Sequence, residues 1–127
     1  MRNWMILASV MLLVVCSGCG GDSHEKLSKE SVSTMKEMVS VLEGVKDEAS
    51  AQSAKPQLKS LMEKLQDINH RQSKLPAPTE AEMKEMDSKY GKEMEETSRK
   101  FTSEMMRVMF TPKVNAVFQD LDMKQMK

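Results

Sequence analysis

The residues with the most distinctive chemistry in this sequence are methionines placed three positions apart. Fourteen of the 127 residues are methionine. On a helix, side chains three residues apart lie on adjacent turns of one face, so each pair brings two thioether sulfurs together. Thioether sulfur is a soft ligand that suits Cu(I). A Cu(I) site, with His24 or His70 adding an imidazole, is therefore a hypothesis for the pairs Met35 and Met38, Met83 and Met86, Met106 and Met109, and Met123 and Met126.

Packing explains much of this methionine content without a metal, because methionine is a flexible filler of helical cores. One helical stripe contains Met83, Met86, Tyr90, Met94, Phe101, Met105 and Val108. Four methionines fit that stripe less well and are either copper ligands or an exposed surface for a partner: Met106, Met109, Met123 and Met126. Because Cu(I) binding also requires converging geometry, no metal site is favoured and no cofactor is expected.

Catalytic chemistry has little support in the sequence. The chain has two histidines, and His70 lies in a polar run, Asn69 to Gln72, that is typical of a solvent-facing helix. A catalytic base requires a positioned partner and a pocket. The sequence contains no glycine-rich phosphate loop, nucleophile elbow or His–Glu metal motif. We therefore expect a protein that is not an enzyme.

The first twenty-one residues have the pattern of an export signal. Arg2 precedes an uncharged run of twelve residues from Trp4 to Val15, and small residues follow it. The run is too short to span a bilayer, which needs about 20 apolar residues. A positive start, a short apolar core and a small-residue exit mark a secretory signal. We predict that residues 1–18 are a cleaved signal peptide and that residues 19–24 are a tether.

The end of this leader resembles the signals of bacterial lipoproteins. Those signals close with an aliphatic residue, a small residue, Gly or Ala, and the cysteine that receives the lipid. In this sequence Ser17 and Gly18 match and Cys19 has the acceptor position, whereas Cys16 departs from the usual aliphatic residue. The resemblance implies a diacylglyceryl group, and often a third acyl chain such as palmitate, on Cys19. Two or more chains anchor a protein stably, so the bilayer is a predicted partner.

The same resemblance implies a location in the bacterial cell envelope. In many Gram-negative bacteria an Asp after the acceptor cysteine retains a lipoprotein in the inner membrane. Gly20 stands there instead, which favours the outer membrane. Three alternatives stay open: Cys16 is the acceptor, the signal is cleaved without lipidation, or the apolar run remains as an anchor. Lipidation of Cys19 would leave no cysteine for a disulfide or a thiolate metal site.

The chain after the signal is one small domain with a thin core. It has 18 basic and 19 acidic residues, so its net charge is −1. A nucleic-acid-binding surface would be basic, and no nucleic-acid partner is expected. Leu, Ile, Val and Phe number 18 in residues 19–127, and eleven methionines supplement them. We expect an ordered helical domain of modest stability.

Apolar residues recur at helical spacing in four segments, about 25–50, 55–74, 80–110 and 112–122. Pro56 fits the first turn of the second helix, so a turn is predicted at 51–55. Thr79 and Glu82 form a capping-box pattern at the start of the third helix. The first helix carries a heptad-spaced stripe: Met35, Met38, Leu42, Val45 and Ala49.

These elements predict an all-α fold for residues 25–127. The expected architecture is an elongated antiparallel helical hairpin or a three-helix bundle, with a short fourth helix at the C-terminus. The predicted function is that of a membrane-anchored envelope lipoprotein with a non-catalytic binding or structural role. Its partner would be a protein docked along its helices, or a second copy of the chain. A periplasm-facing Cu(I)-binding protein and a coiled-coil envelope spacer are the alternatives.

Overall fold

Residues 21–119 fold as a bundle of four helices joined by short connections. A computed structural model describes residues 21–119. Helix α1 is His24–Glu43, α2 is Glu48–Ser73 and α4 is Pro112–Phe118. Helix α3 combines α-helical Glu80–Met86, a π-helical segment Asp87–Gly91 and α-helical Lys92–Met109. The predicted all-α bundle with a short C-terminal helix is confirmed, whereas the predicted signal peptide and Cys19 lie outside the described residues.

Helix α1 is the central element of the bundle. It packs against both α2 and α3, and α4 packs against α2 and α3. At 3.6 residues per turn, the buried residues of α1 cover roughly 160° of its circumference. The heptad-spaced stripe predicted for this helix covers a narrower arc than the buried residues do. Heptad spacing is expected for contact with one neighbouring helix, whereas α1 contacts two. The buried residues are Leu27, Val32, Thr34, Met38, Val39 and Leu42.

The hydrophobic core lies at the end of the bundle where α1 stops and α2 starts, which we call the distal end. The opposite end, with residues 21–24 and the α2–α3 loop, is the proximal end. Leu42 and Val45 are fully buried in the core, and Val108 is 2% exposed. The remaining buried members come from α1, α2 and α4: Met38, Ala51, Ala54, Leu58, Met62, Val114 and Val117.

The predicted position of the turn between the first two helices is wrong. Asp47 caps α2: its Oδ1 accepts from the Ser50 N–H at 2.8 Å, and Ser50 Oγ accepts from the Asp47 N–H at 3.0 Å. The turn is therefore at 44–47. Ala51 and Ala54, which were predicted to lie in or beside the turn, are buried in the core instead. Two alanines on the buried face let α2 approach α1 closely.

Pro56 consequently lies inside α2, at its ninth residue, and not in a first turn. Its missing N–H leaves the Gln52 carbonyl without a helical donor. Side chains support the neighbouring carbonyls: Ser53 Oγ donates to Ala49 O at 3.3 Å, and Gln57 Nε2 donates to Ser53 O at 3.2 Å. Pro56 is on the exposed side of the helix, where water reaches the freed carbonyl.

Helix α3 begins as predicted. Thr79 Oγ1 accepts from the Glu82 N–H at 3.2 Å, and Glu82 Oε2 accepts from the Thr79 N–H at 2.7 Å. This reciprocal pair satisfies two of the free donors at the helix start. Gly91 is the last residue of the π-helical segment within α3. Helix α4 ends at Phe118, earlier than predicted.

None of the helices within residues 21–119 is both long enough and apolar enough to cross a bilayer.

Replacing Pro56 with Ala should stabilise the protein by about 1–3 kcal/mol, because alanine restores the N–H that can bond to Gln52 and removes the ring clash. Urea unfolding followed by circular dichroism measures the effect. Lys59→Ala, on an exposed position of the same helix, is the control and should change stability by less than about 0.5 kcal/mol. No gain for Pro56→Ala would contradict an interior position for the proline.

Candidate functional site

Three large apolar side chains are exposed together at the distal end, where α3 turns into α4. Met106, Met109 and Phe110 are 53%, 57% and 79% exposed. Met106 and Phe110 are four residues apart, so they share one side of the helix end, with Met109 beside them. We call these three residues the distal patch. Among the described residues, the other large apolar side chain with comparable exposure is Met83, at 49%.

Arg107 fixes the position of the distal patch by binding the end of α1. Its Nη1 donates to Val45 O at 2.7 Å and its Nη2 donates to Leu42 O at 2.8 Å. The last carbonyls of a helix lack intrahelical donors and carry the negative end of its dipole, so a guanidinium suits this position. Glu104 accepts a hydrogen bond from Arg107 Nε at 2.8 Å and thereby orients the guanidinium group. Because Arg107 faces α1, the distal patch faces outward.

The corner between α3 and α4 leaves the patch uncovered. Pro112 is at the first helical position, and Val114 and Val117 bury α4 against the core. A Thr-Pro pair is typical of a capping residue followed by the first residue of a helix, and this expectation is only partly met. Thr111 is the N-cap residue, but its hydroxyl donates to Arg107 O at 2.9 Å and makes no bond to the start of α4. The corner is therefore tied to α3.

The predicted methionine pairs have different environments. Met106 and Met109 are both exposed on adjacent turns, as the copper hypothesis requires. Their predicted companions, Met123 and Met126, lie outside the described residues. Met38 is a core residue, which confirms packing for that position. Within residues 21–119 there is no group of three His, Cys, Asp or Glu side chains that could hold a metal.

The prediction that Met83 belongs to the core is wrong. The first part of α3 lies beside the N-terminal half of α1, beyond the distal core, and contacts there are largely polar. Met86, one turn later, is half-buried, and its sulfur accepts from Ser28 Oγ at 3.5 Å. Lys89 Nζ donates to Glu25 at 3.1 Å, which lowers the pKa of that carboxyl.

Arg71 joins the N-terminal segment to the last turn of α2. Its Nη2 and Nε donate to the two carboxylate oxygens of Asp22 at 2.6 and 2.9 Å. Its Nη1 donates to Glu30 of α1 at 2.9 Å, and Asp67 is 3.4 Å away. The hydrogen bonds from Arg71 lower the pKa of Asp22 from 3.8 to about 2. The chain is thus held to the bundle before α1 begins.

The histidines belong to the proximal end. His24 is the first residue of α1 and not part of a tether; its Nε2 is 2.6 Å from Pro76 O. His70 is exposed near the end of α2, as predicted. The 20-residue α1 spans about 30 Å, so neither imidazole can reach Met106 and Met109. The suggestion that a histidine completes that methionine pair is wrong.

Sequence reasoning missed both arginines that organise the two ends. Arg71 binds Asp22 and Arg107 binds Val45 across 49 and 62 positions of the chain, whereas spacing along one helix reveals only near neighbours. Spacing of four residues on α3 predicts four ion pairs, of which three are formed, at 2.8, 2.7 and 2.6 Å: Glu80–Lys84, Glu85–Lys89 and Glu95–Arg99. The fourth, Glu96–Lys100, forms no ion pair in the part of the chain that the structure describes. Placement in a last helical turn is the one local cue that Arg71 and Arg107 share.

Comparisons with protein-family models, with curated proteins and with solved structures found no match to this chain.

Acid should weaken the fold through Asp22. A carboxyl with a lowered pKa contributes its full stabilisation above the ordinary value of 3.8 and loses it as the pH falls through about 2. The free energy of unfolding of the wild type should therefore fall more steeply over this range than that of Asp22→Asn. Urea unfolding at a series of pH values measures the difference.

Asp67→Asn is the matched control, because Asp67 meets the same guanidinium at 3.4 Å from a more exposed position. It should keep the steep acid dependence of the wild type. Equal acid dependence in the wild type and Asp22→Asn would contradict the role given to Asp22.

Proposed function

We propose that this chain is a lipid-anchored protein of the bacterial envelope that binds a protein partner through its distal patch and has no catalytic role. One observation carries the proposal: the large exposed apolar side chains concentrate at the end of the bundle opposite its N-terminus. The lipoprotein-like leader supplies the anchor and its place, with the outer membrane favoured by Gly20.

A bundle standing upright on the bilayer would present the patch to a protein and not to the anchoring lipid. Cys19 is three residues before Asp22, and Arg71 holds Asp22 against α2. Three residues reach at most about 11 Å, so the proximal end stays near the lipid. The distal patch is about one α1 length, some 30 Å, farther away. An apolar surface at that distance from the bilayer is suited to binding another protein.

The chemistry of the patch suits protein binding. Methionine side chains repack easily against different apolar surfaces, and an exposed aromatic ring is a frequent anchor of protein interfaces. The groove of about 350 Å³ between α1 and α3 is different in character. It is lined largely by charged side chains, and Lys36 and Glu93 pair across it. The patch therefore offers more apolar surface to a partner than the groove does.

The anchor is tested with two cysteine variants. Cys19→Ala should move the protein out of the membrane fraction and abolish incorporation of labelled fatty acid, because it removes the acceptor thiol. Cys16→Ala is the matched control and should keep both properties. Loss of lipid in Cys16→Ala with retention in Cys19→Ala would contradict the assignment of Cys19.

The distal patch is tested by site-specific photo-cross-linking in intact cells. A photoreactive residue replacing Phe110 should give a discrete protein adduct that the same residue at Met83 does not give. Met83 is a suitable control because it is comparably exposed on the same helix, away from the distal end. An adduct of twice the monomer mass would replace the protein partner with a second copy. No adduct at Phe110, or identical adducts at both sites, would contradict the proposal.

Cu(I) binding is the second candidate, favoured by the exposure of Met106 and Met109 on adjacent turns. A competition titration with a colorimetric Cu(I) chelator under reducing conditions tests it. Stoichiometric binding should disappear in Met106→Leu/Met109→Leu and persist in Met83→Leu. Leucine keeps the patch apolar but removes the soft ligand, so the double variant should retain any protein adduct at Phe110. No competition by the wild type would reject the copper role.

A further inference from the structure

We infer that the loop between α2 and α3 is a second membrane contact, with Leu75–Pro78 resting in the headgroup layer beside the lipid anchor. The inference rests on the proposed lipidation of Cys19 and goes beyond it, because it assigns a protein surface to the bilayer. Four consecutive residues of this loop, Leu-Pro-Ala-Pro, carry no charged or polar side chain. Pro76 and Ala77 are exposed, and Leu75 and Pro78 are half-buried.

The loop lies at the point where the anchor must attach. His24 Nε2 is 2.6 Å from Pro76 O, so the loop is bonded to the first residue of α1. Asp22, two residues earlier, is bonded by Arg71 at 2.6 and 2.9 Å. From Asp22 the chain needs only three residues to reach Cys19, a span of about 11 Å at most. The headgroup layer of one leaflet is about 5–8 Å thick, so the loop is within reach of it.

The backbone of the loop can leave water at small cost. Pro76 and Pro78 have no N–H, and the Leu75 N–H donates to Gln72 O at 3.1 Å. The Pro76 carbonyl faces the His24 imidazole. At most one amide donor of the four residues, that of Ala77, then needs a new partner in the interface. Unpaired backbone groups are a penalty for placing a loop at a membrane. This loop has at most one unpaired N–H, and the carbonyls of Leu75, Ala77 and Pro78 can keep their water in the headgroup layer.

The contact does not need to be strong, because the lipid anchor already confines the loop to the bilayer surface. A second contact on a tethered molecule acts as an intramolecular event at high effective concentration. Two points of attachment resist tilting better than one. The proposed loop contact would therefore hold the bundle upright and keep the distal patch away from the lipid.

Tryptophan fluorescence on the lipidated protein tests the loop contact. The chain has one tryptophan, Trp4, in the predicted leader, and Trp4→Phe leaves a silent background. In that background Ala77→Trp reports on the loop, and Ala49→Trp, at another exposed alanine in the distal first turn of α2, is the matched control. Each protein is purified from membranes in detergent and reconstituted into phosphatidylethanolamine–phosphatidylglycerol vesicles with and without brominated acyl chains.

On reconstitution, the emission of Ala77→Trp should shift to shorter wavelength, be quenched by the brominated lipid and be protected from iodide. Ala49→Trp should keep its emission maximum and its quenching by iodide. Circular dichroism checks that both variants are folded. Co-flotation with vesicles, together with iodide-accessible Ala77→Trp, would overturn the loop contact alone. Equal lipid quenching at both positions would also overturn it, because the bundle would then lie on its side. Failure to float would instead reject the proposed anchor.

Discussion

The burial of α1 between two longer helices is the constraint on which the rest of the structure depends. Its C-terminal half supplies Met38 and Leu42 to the core, the connection after it supplies Val45, and the other helices close around those side chains. The carbonyls of Leu42 and Val45, at the end of α1 and just after it, accept from Arg107, which aligns the last turn of α3 with the first connection of the chain. Few large residues are sufficient for the core because α1 packs against both long helices and α4 closes the distal end against those same two helices.

The two ends of the bundle are stabilised by different physics. The distal end is held by apolar burial, whereas the proximal end combines the buried side chains of Leu27 and Ile68 with ion pairs, in which Arg71 joins Asp22 and Glu30. Ionic contacts at half-exposed positions are screened by salt and depend on pH, while apolar burial does not. The exposure of Met83 follows from this division, because the first part of α3 has mainly polar partners. The proximal end therefore depends on ion pairs as well as on apolar burial, whereas the distal end depends mainly on burial.

Local patterns in the sequence predicted local structure well. The capping box joins Thr79 and Glu82, and the ion pairs of α3 join residues four positions apart. Because these partners are close in the sequence, whether the contacts form depends little on the overall fold. The position of Pro56 within its helix could not be predicted from local pattern, because proline is favourable in a first turn and is also tolerated on the exposed face of a helix. Its position was decided by Ala51 and Ala54, whose burial against α1 extends α2 toward the N-terminus. That burial is a tertiary effect.

The candidate site was predictable in composition but not in geometry. The spacing of Met106 and Met109 indicated a shared helix face, and their exposure depends on Arg107 and Val108, which turn the opposite side of α3 toward α1. The partners of Arg107 are backbone carbonyls, which leave no signature in the sequence. The width of the buried face of α1 could not be predicted either, because the spacing of apolar residues within one helix does not show how many other helices pack against it.

The proposed anchoring makes the height of the distal patch a property of the fold and not of a linker. A long flexible tether would let the tip sample many heights, with a spread that grows as the square root of its length. Here Asp22 is already bound by Arg71, and Cys19 is only three residues before it in the sequence. The length of α1 then sets the reach, at about 30 Å above the proximal end. A partner of this tip must accordingly present its own binding surface within that distance of the membrane.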